Sequence, residues 1–187
     1  EYQGNYSKAI GYYKKSLKFY KETGDKSGIA TCLNNIGGIY NELGDIGSAI
    51  DYYTKSLKVY EEIDSKLGVA NTLIGVGNIH HDQGDLAKAL DYYLKSLGIH
   101  KEAKFDLGVS NNLNDIGDIY NEQGDYVKAM DYYTKSLELR ESFGYKAGIA
   151  TSLNSIGLLY NNKSDYDEAI NYYTKSLKIR EEIGDKS

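Results

Sequence analysis

The sequence predicts an all-α solenoid of stacked helix-turn-helix units, about nine helices in all. Three observations point there. A 40-residue period runs through the 187 residues without an insertion: Tyr-Tyr stands at 12–13, 52–53, 92–93, 132–133 and 172–173, and Lys-Ser-Leu at 15–17, 55–57, 95–97, 135–137 and 175–177. Inside each period the apolar residues recur three and four apart, the signature of a helix with one buried face. Composition excludes the other repetitive classes, since 20 Tyr argue against disorder and the absence of Pro argues against collagen. Helix pairs that cannot bury their own faces must stack on their neighbours.

Residues 1–23 read as the second helix of a unit whose first helix is missing. Full repeats follow at 24–63, 64–103, 104–143 and 144–183. Gly184-Asp185-Lys186-Ser187 matches Gly24-Asp25-Lys26-Ser27 and reads as the start of a next unit, so the chain reads as an excerpt of a longer array. Exposed apolar ends, and self-association through them, are expected.

In the first full repeat, helix A is expected from about Gly28 to Glu42, with Ile29, Leu33, Ile36 and Tyr40 on one face. Gly44 suits a left-handed C-terminal turn and Asp45 is placed to cap the next helix. Helix B buries Ile46, Ala49, Ile50, Tyr53, Leu57 and Tyr60, while Asp51 and Lys55 form an exposed pair four residues apart with the acid first. Asp91–Lys95 and Asp131–Lys135 repeat that pair. The Gly-Asp turn recurs at 84–85 and 124–125. At Ser164-Asp165 the glycine is lost, so strain or a different shape is expected there. Gly37, Gly77, Gly117 and Gly157 sit in helix interiors, each at a cost of about 1 kcal/mol relative to Ala. Close packing is expected at each, with Ala9, Ala49, Ala89, Ala129 and Ala169 on the other side.

Leu33, Ile36-Gly37, Tyr40, Gly44-Asp45, Ala49, Tyr53 and Ser56-Leu57 together resemble the tetratricopeptide repeat. The likeness covers essentially the whole chain. It departs from the family's usual unit in having 40 residues, with a longer helix B and no proline near its end. Arrays of this 40-residue kind resemble those of Pins-type polarity scaffolds, bacterial peptide-pheromone sensors and bacterial signalling enzymes. The resemblance implies a right-handed superhelix whose helices A line a concave groove for peptides or partner helices.

Helix A carries a second stripe, spaced three, four and three. It reads Thr31, Asn34, Gly38, Asn41; Asn71, Ile74, Asn78, His81; Asn111, Asn114, Asp118, Asn121; and Thr151, Asn154, Leu158, Asn161. These match the family's groove positions. The candidate peptide-binding residues are therefore Asn34, Asn41, Asn71, Ile74, Asn78, His81, Asn111, Asn114, Asp118, Asn121, Asn154, Leu158 and Asn161. Twelve of the 14 Asn fall in the helix A segments, although Asn is a mediocre helix former. Two readings stand side by side: a solvated face copied by duplication, or a ladder of amides that pairs with a peptide backbone. No Lys or Arg occurs in 28–43, 68–83, 108–123 or 148–162, where the acids are Glu42, Asp82, Asp115, Asp118 and Glu122. Every basic residue is expected on helix B or in loops, so a neutral or basic partner is favoured. A carboxylate clamp, which needs cations on helix A, is excluded.

No phosphate loop, nucleophile elbow or zinc-protease motif occurs, and no catalytic residue, metal or cofactor is assigned. Adjacent His80 and His81 diverge by about 100° on a helix and do not chelate together. His80 takes the place of a core Tyr, His81 faces the groove, and His100 stands alone on helix B. Cys32 is a small, partly buried residue with no basic neighbour. One Tyr of each pair is expected inward and the other on a wet edge. The formal charge of −5 argues against nucleic acid, and no apolar run is long enough for a membrane span. The single cysteine suits a cytoplasmic location, where the sequons Asn5-Tyr6-Ser7 and Asn162-Lys163-Ser164 carry little meaning. The function expected is a protein-interaction module without catalysis. The alternative is a regulatory or structural spacer within a larger signalling protein.

Overall fold

The computed structural model describes the backbone of residues 2–185 and the side chains of residues 5–185. Glu1, and the Lys186-Ser187 end of the expected next unit, lie outside the described residues. Among these the chain is an all-α repeat solenoid of nine helices: α1 (Tyr2–Thr23), α2 (Lys26–Glu42), α3 (Ile46–Glu62), α4 (Lys66–Asp82), α5 (Leu86–Glu102), α6 (Asp106–Glu122), α7 (Tyr126–Ser142), α8 (Lys146–Asn162) and α9 (Tyr166–Glu182). Helices of type A are α2, α4, α6 and α8. The chain forms two compact units, one through Ile99 and one from His100. In the first, α2 packs on α1, α3 and α4; in the second, α8 packs on α6, α7 and α9.

The turn inside each repeat closes one helix and opens the next with the same residues. Gly44 takes φ +74 and its N–H donates to Asn41 O, while Asp45 N–H donates to Tyr40 O. Those two bonds satisfy the last free carbonyls of α2 in a Schellman turn, for which a left-handed glycine is the least strained choice. The Asp45 carboxylate then accepts from Ser48 N–H at the start of α3. Asp85 and Asp125 do the same for Lys88 and Lys128 N–H. At Ser164 the turn keeps its shape, and the serine is forced to φ 63. The expected cost of losing the glycine is thus strain alone, with no change of form.

Helix A begins two residues earlier than its apolar pattern implies. Lys26, Lys66 and Lys146 therefore stand in its first turn, contrary to the expected confinement of cations to helix B and loops. Lys26 and Lys146 reach Glu62 and Glu182 at 3.1 Å, each at the end of the following helix B.

The interior glycines are explained by tyrosine rings. A Cβ at Gly117 would lie 2.5 Å from Tyr133 Cε1, and one at Gly37 would lie 3.0 Å from Tyr53 Cδ1. The alanines cluster with the same tyrosine rings. Ala49 joins Tyr53 and Ile79, and Ala129 joins Tyr133, Ile156 and Leu159, against the next helix A. Beyond the exposed Tyr12, the first tyrosine of each pair is half-buried, and three of them stack on helix A: Tyr52 on Tyr40, Tyr132 on Tyr120 and Tyr172 on Tyr160, each at 5.5 Å between ring centres. His80 takes the same place against Tyr92, at 5.4 Å.

A serine of helix B holds each hairpin from within. Ser56, Ser136 and Ser176 hydroxyls donate to Ala30 O, Ser110 O and Ala150 O, each 26 residues back, at 2.7–2.9 Å. A net stabilisation of about 0.5–1.5 kcal/mol per bond is ordinary for such a buried pair. The exposed Asp51–Lys55, Asp91–Lys95 and Asp131–Lys135 pairs close at 2.5–2.7 Å; solvent screening keeps the contribution of each small.

Candidate functional site

The helix A stripe divides into amides that hold neighbouring helices and amides that stand open. In the first unit Asn41 Nδ2 donates to Asp82 Oδ2 at 3.2 Å, linking α2 to α4. In the second, Asn114 Nδ2 donates to Ser155 Oγ at 3.1 Å and Asn162 Nδ2 to Asn121 Oδ1 at 3.3 Å, linking α6 to α8. All three bonds span 41 residues, one repeat and one residue. Asn114 and Asn121 are buried by this stitching. Asn71, Asn154, Asn161 and Leu158 remain exposed, and Ile74 and His81 are half-buried.

The stripe's third position faces the hydroxyl of the buried tyrosine. Asn78 Oδ1 accepts from Tyr93 OH at 2.7 Å, and Asp118 Oδ1 accepts from Tyr133 OH at 2.6 Å. Burial, and then the Asp118 carboxylate, push the Tyr133 phenol well above its ordinary range, so it stays protonated and donates. Asp118 also accepts from Asn114 Nδ2 at 3.3 Å. Its carboxylate is therefore occupied within the fold.

Asn34 differs from its counterpart Asn114. Where Asn114 meets Asp118 and Ser155, the equivalent positions around Asn34 are Gly38 and Gly75. Like Asn41 Oδ1 and Asn114 Oδ1, Asn34 Oδ1 is buried without a hydrogen-bond partner; the amide nitrogen is what differs, having no counterpart of Ser155 or Asp118 to donate to. Asn34 lines an open cavity of about 490 Å³ with Asn5, Tyr6, Tyr13, Gly38 and Glu42.

Arg140, on helix B, brings a cation within electrostatic reach of Asp115 and Asp118 on α6. Its guanidinium is buried and donates to Gly148 O at 2.9 Å, Ser152 Oγ at 2.8 Å and Asn111 Oδ1 at 2.8 Å. Burial lowers its pKa, and the negative charges of Asp115 and Asp118 work in the opposite direction. The acids on α6 are thus partly offset from below. The first unit has Tyr60 at the matching position, with its hydroxyl 3.0 Å from Thr31 Oγ1. His100, expected to stand alone, is fully buried with Nδ1 2.7 Å from Asn112 Oδ1. Arg140 carries a signal in the sequence that single-helix periodicity does not use: positions 20, 60, 100, 140 and 180 read Tyr, Tyr, His, Arg, Arg, while a glycine stands unchanged eight residues after the first four.

Cys32 is buried more fully than expected. Burial, followed by Asp25, raises its thiol pKa, which keeps it an inert core thiol.

A sequence profile described as tetratricopeptide repeat matches residues 1–62, 68–142 and 109–182. The chain belongs to the tetratricopeptide repeat family. No curated protein matches it. Solved structures share the fold at low identity. BtubC (BKLC) from P. vanneervenii is 18% identical with a TM-score of 0.79, covering 99% of this chain and 77% of that one. The apo form of RapI is 18% identical at 0.76, covering 95% and 72%. Aspartyl phosphate phosphatase F from Bacillus subtilis is 15% identical at 0.71, covering 96% and 56%. The tetratricopeptide fold is a protein-interaction scaffold, typically without catalysis. Among the described residues no helix is long and apolar enough to cross a membrane.

Proposed function

We propose that the helix A face of this tetratricopeptide array binds an extended peptide with neutral or basic side chains. The observation that carries the reading is a stripe of exposed and half-buried amides, with Asn34 Oδ1 buried and unpartnered beside an open cavity. Such an acceptor gains most from a ligand N–H, because it forgoes water in the free state. Asn71, Asn154 and Asn161 offer both donor and acceptor to a peptide backbone, and Ile74 and Leu158 offer apolar seats. Apart from the first-turn lysines, helix A presents no cation, while Glu42, Asp82 and Glu122 are exposed. A basic ligand gains attraction and a faster on-rate, and an acidic one meets like charge. The buried Cys32 suits a cytoplasmic setting.

A second reading is a spacer that positions other domains of a signalling protein. The Asn41–Asp82, Asn114–Ser155 and Asn121–Asn162 bonds favour it, because they give the amides a purely internal role. A screen of peptides of graded charge against the wild type and the Asn71→Ala, Asn154→Ala double variant separates the two. Binding of basic peptides that the double variant weakens at least fivefold supports the groove. Tight capture of acidic peptides, or affinity unchanged in the variant, contradicts it.

A further inference from the structure

A groove of about 540 Å³ crosses the turn edge of the second unit, between the start of α7 and the end of α8, lined by Tyr126, Val127, Met130, Leu159, Tyr160 and Lys163. Both of its walls are packed on either side: α7 lies on α6 and α8, and α8 on α7 and α9. The Tyr126 hydroxyl donates to the Asn162 carbonyl at 3.4 Å and ties the walls together. Tyr160 is held by its stack on Tyr172. The site is therefore largely formed before any ligand arrives.

Two of its residues have no role in the fold. Val127 is 83% exposed. A β-branched residue in an exposed first turn gains no packing and forms helix less readily than alanine. Lys163 is exposed, with its ammonium 5.4 Å from the centre of the Tyr160 ring. Among the described residues it makes no ion pair. The acid of the groove, Asp125, is already engaged: its carboxylate accepts from Lys128 N–H at 3.2 Å and pairs with Lys128 Nζ at 2.8 Å. Asp165 and Glu168 lie within electrostatic reach of Tyr160, and neither pairs with Lys163. The charge left open is thus positive. In the other repeats the place of Val127 is taken by Gly47, Ala87 and Asp167, and that of Lys163 by Leu43, Gln83 and Gln123. The matching groove of the first unit pairs Gly47 with Gln83 and has neither the apolar wall nor the cation.

We propose that this groove is a docking site for a partner peptide that carries a large apolar side chain beside a carboxylate. The apolar side chain covers Val127 and Met130, and the carboxylate meets Lys163. The Tyr160 face steadies the ammonium, which keeps N–H groups free for the acid. A basic peptide meets like charge here. The contact is far smaller than a stable protein interface, so the complex is weak and suits a short segment. The site lies off the helix A stripe, takes the opposite charge and does not rest on the reading above.

The probe is the peptide Gly-Glu-Leu-Leu-Glu-Gly, capped at both ends and titrated against the whole chain while backbone amide shifts are followed. Saturable shifts are expected around Val127, Met130 and Lys163. Val127→Asp and Lys163→Gln should each weaken binding at least fivefold, and added salt should weaken it further. Both changes place a residue that the chain already carries at that position in another repeat, Asp167 or Gln83, so the fold is expected to hold; unchanged melting verifies this. The Asn71→Ala, Asn154→Ala double variant should bind this probe as the wild type does. Repeating the helix A peptide screen in the Val127→Asp background lets the two readings fail separately. The proposal is overturned by the absence of saturable shifts at this edge, by affinity unchanged in either variant, by equal binding of Gly-Lys-Leu-Leu-Lys-Gly, or by a peptide-free dimer that the variants dissociate, since a second copy would then hold the groove.

Discussion

The junction from α3 to α4 in the first unit and that from α7 to α8 in the second solve one packing problem with different chemistry. In the first, the Tyr60 ring lies against Gly68, with its hydroxyl on Thr31. In the second, Arg140 lies against Gly148 and ties Asn111, Gly148 and Ser152 together. The stripe follows suit. Asn34 sits among glycines, whereas the amide nitrogen of Asn114 is held by Ser155 and Asp118; the side-chain oxygens of both are buried without a partner. A duplicated unit has therefore diverged by exchanging partners in sets. At this position the second unit bonds its amide nitrogen internally, and the first leaves it beside an open cavity.

The largest effect that tests this contrast is at Arg140. Arg140→Ala leaves the buried Gly148 carbonyl and Ser152 hydroxyl without this donor and should cost roughly 2–4 kcal/mol in denaturant unfolding. Arg140→Tyr should cost clearly less, because Tyr60 shows that an aromatic ring suits the site over glycine. Equal losses would mean that the two junctions are not interchangeable designs.

Next come the glycines beneath the tyrosines. Gly117→Ala should destabilise by roughly 1–3 kcal/mol through overpacking against Tyr133, and Gly37→Ala by less, since Tyr53 lies farther away. Thermal melts rank the pair. Smaller still is the asparagine comparison. Asn114→Ala should cost about 1–2 kcal/mol by freeing Ser155 and Asp118, while Asn34→Ala should leave the melt nearly unchanged. Asn34→Ala is therefore the cleaner probe of ligand binding.

The turns were open to inspection in the sequence because their chemistry is local. Gly44-Asp45 states both the left-handed cap and the next N-cap within two residues. The inward tyrosine and the outward Asp51–Lys55 pair follow from the spacing of three and four. Arg140, His100 and the Ser56 hydroxyl were not legible in that way. Their partners lie 8 to 29 residues away on other helices, and no periodicity within one helix encodes such an offset. The candidate stripe was legible as a face. Which of its amides are held by neighbours was not, because that depends on whether the facing residue is Gly75 or Ser155.

The smallest expected effect is on pH. The side chain and N–H of Ser48 hold Asp45 below the usual carboxylate range, and those of Lys88 and Lys128 do so for Asp85 and Asp125. A depressed carboxylate contributes stability that is fully present above its unfolded pKa and is lost as pH falls through its folded one. Melting temperature should hold from neutral pH to about pH 5 and fall below about pH 4. Replacing all three by Asn, which caps without titrating, should flatten that acid limb.

The central claim is that ligand meets the helix A stripe, and backbone amide shifts in NMR test it most directly. Titration with a Lys-bearing extended peptide should move the amides around Asn34, Asn71, Asn78, Asn154 and Leu158 and leave α3, α7 and α9 still. Shifts confined to the B helices, or none on the stripe at saturating peptide, would contradict it.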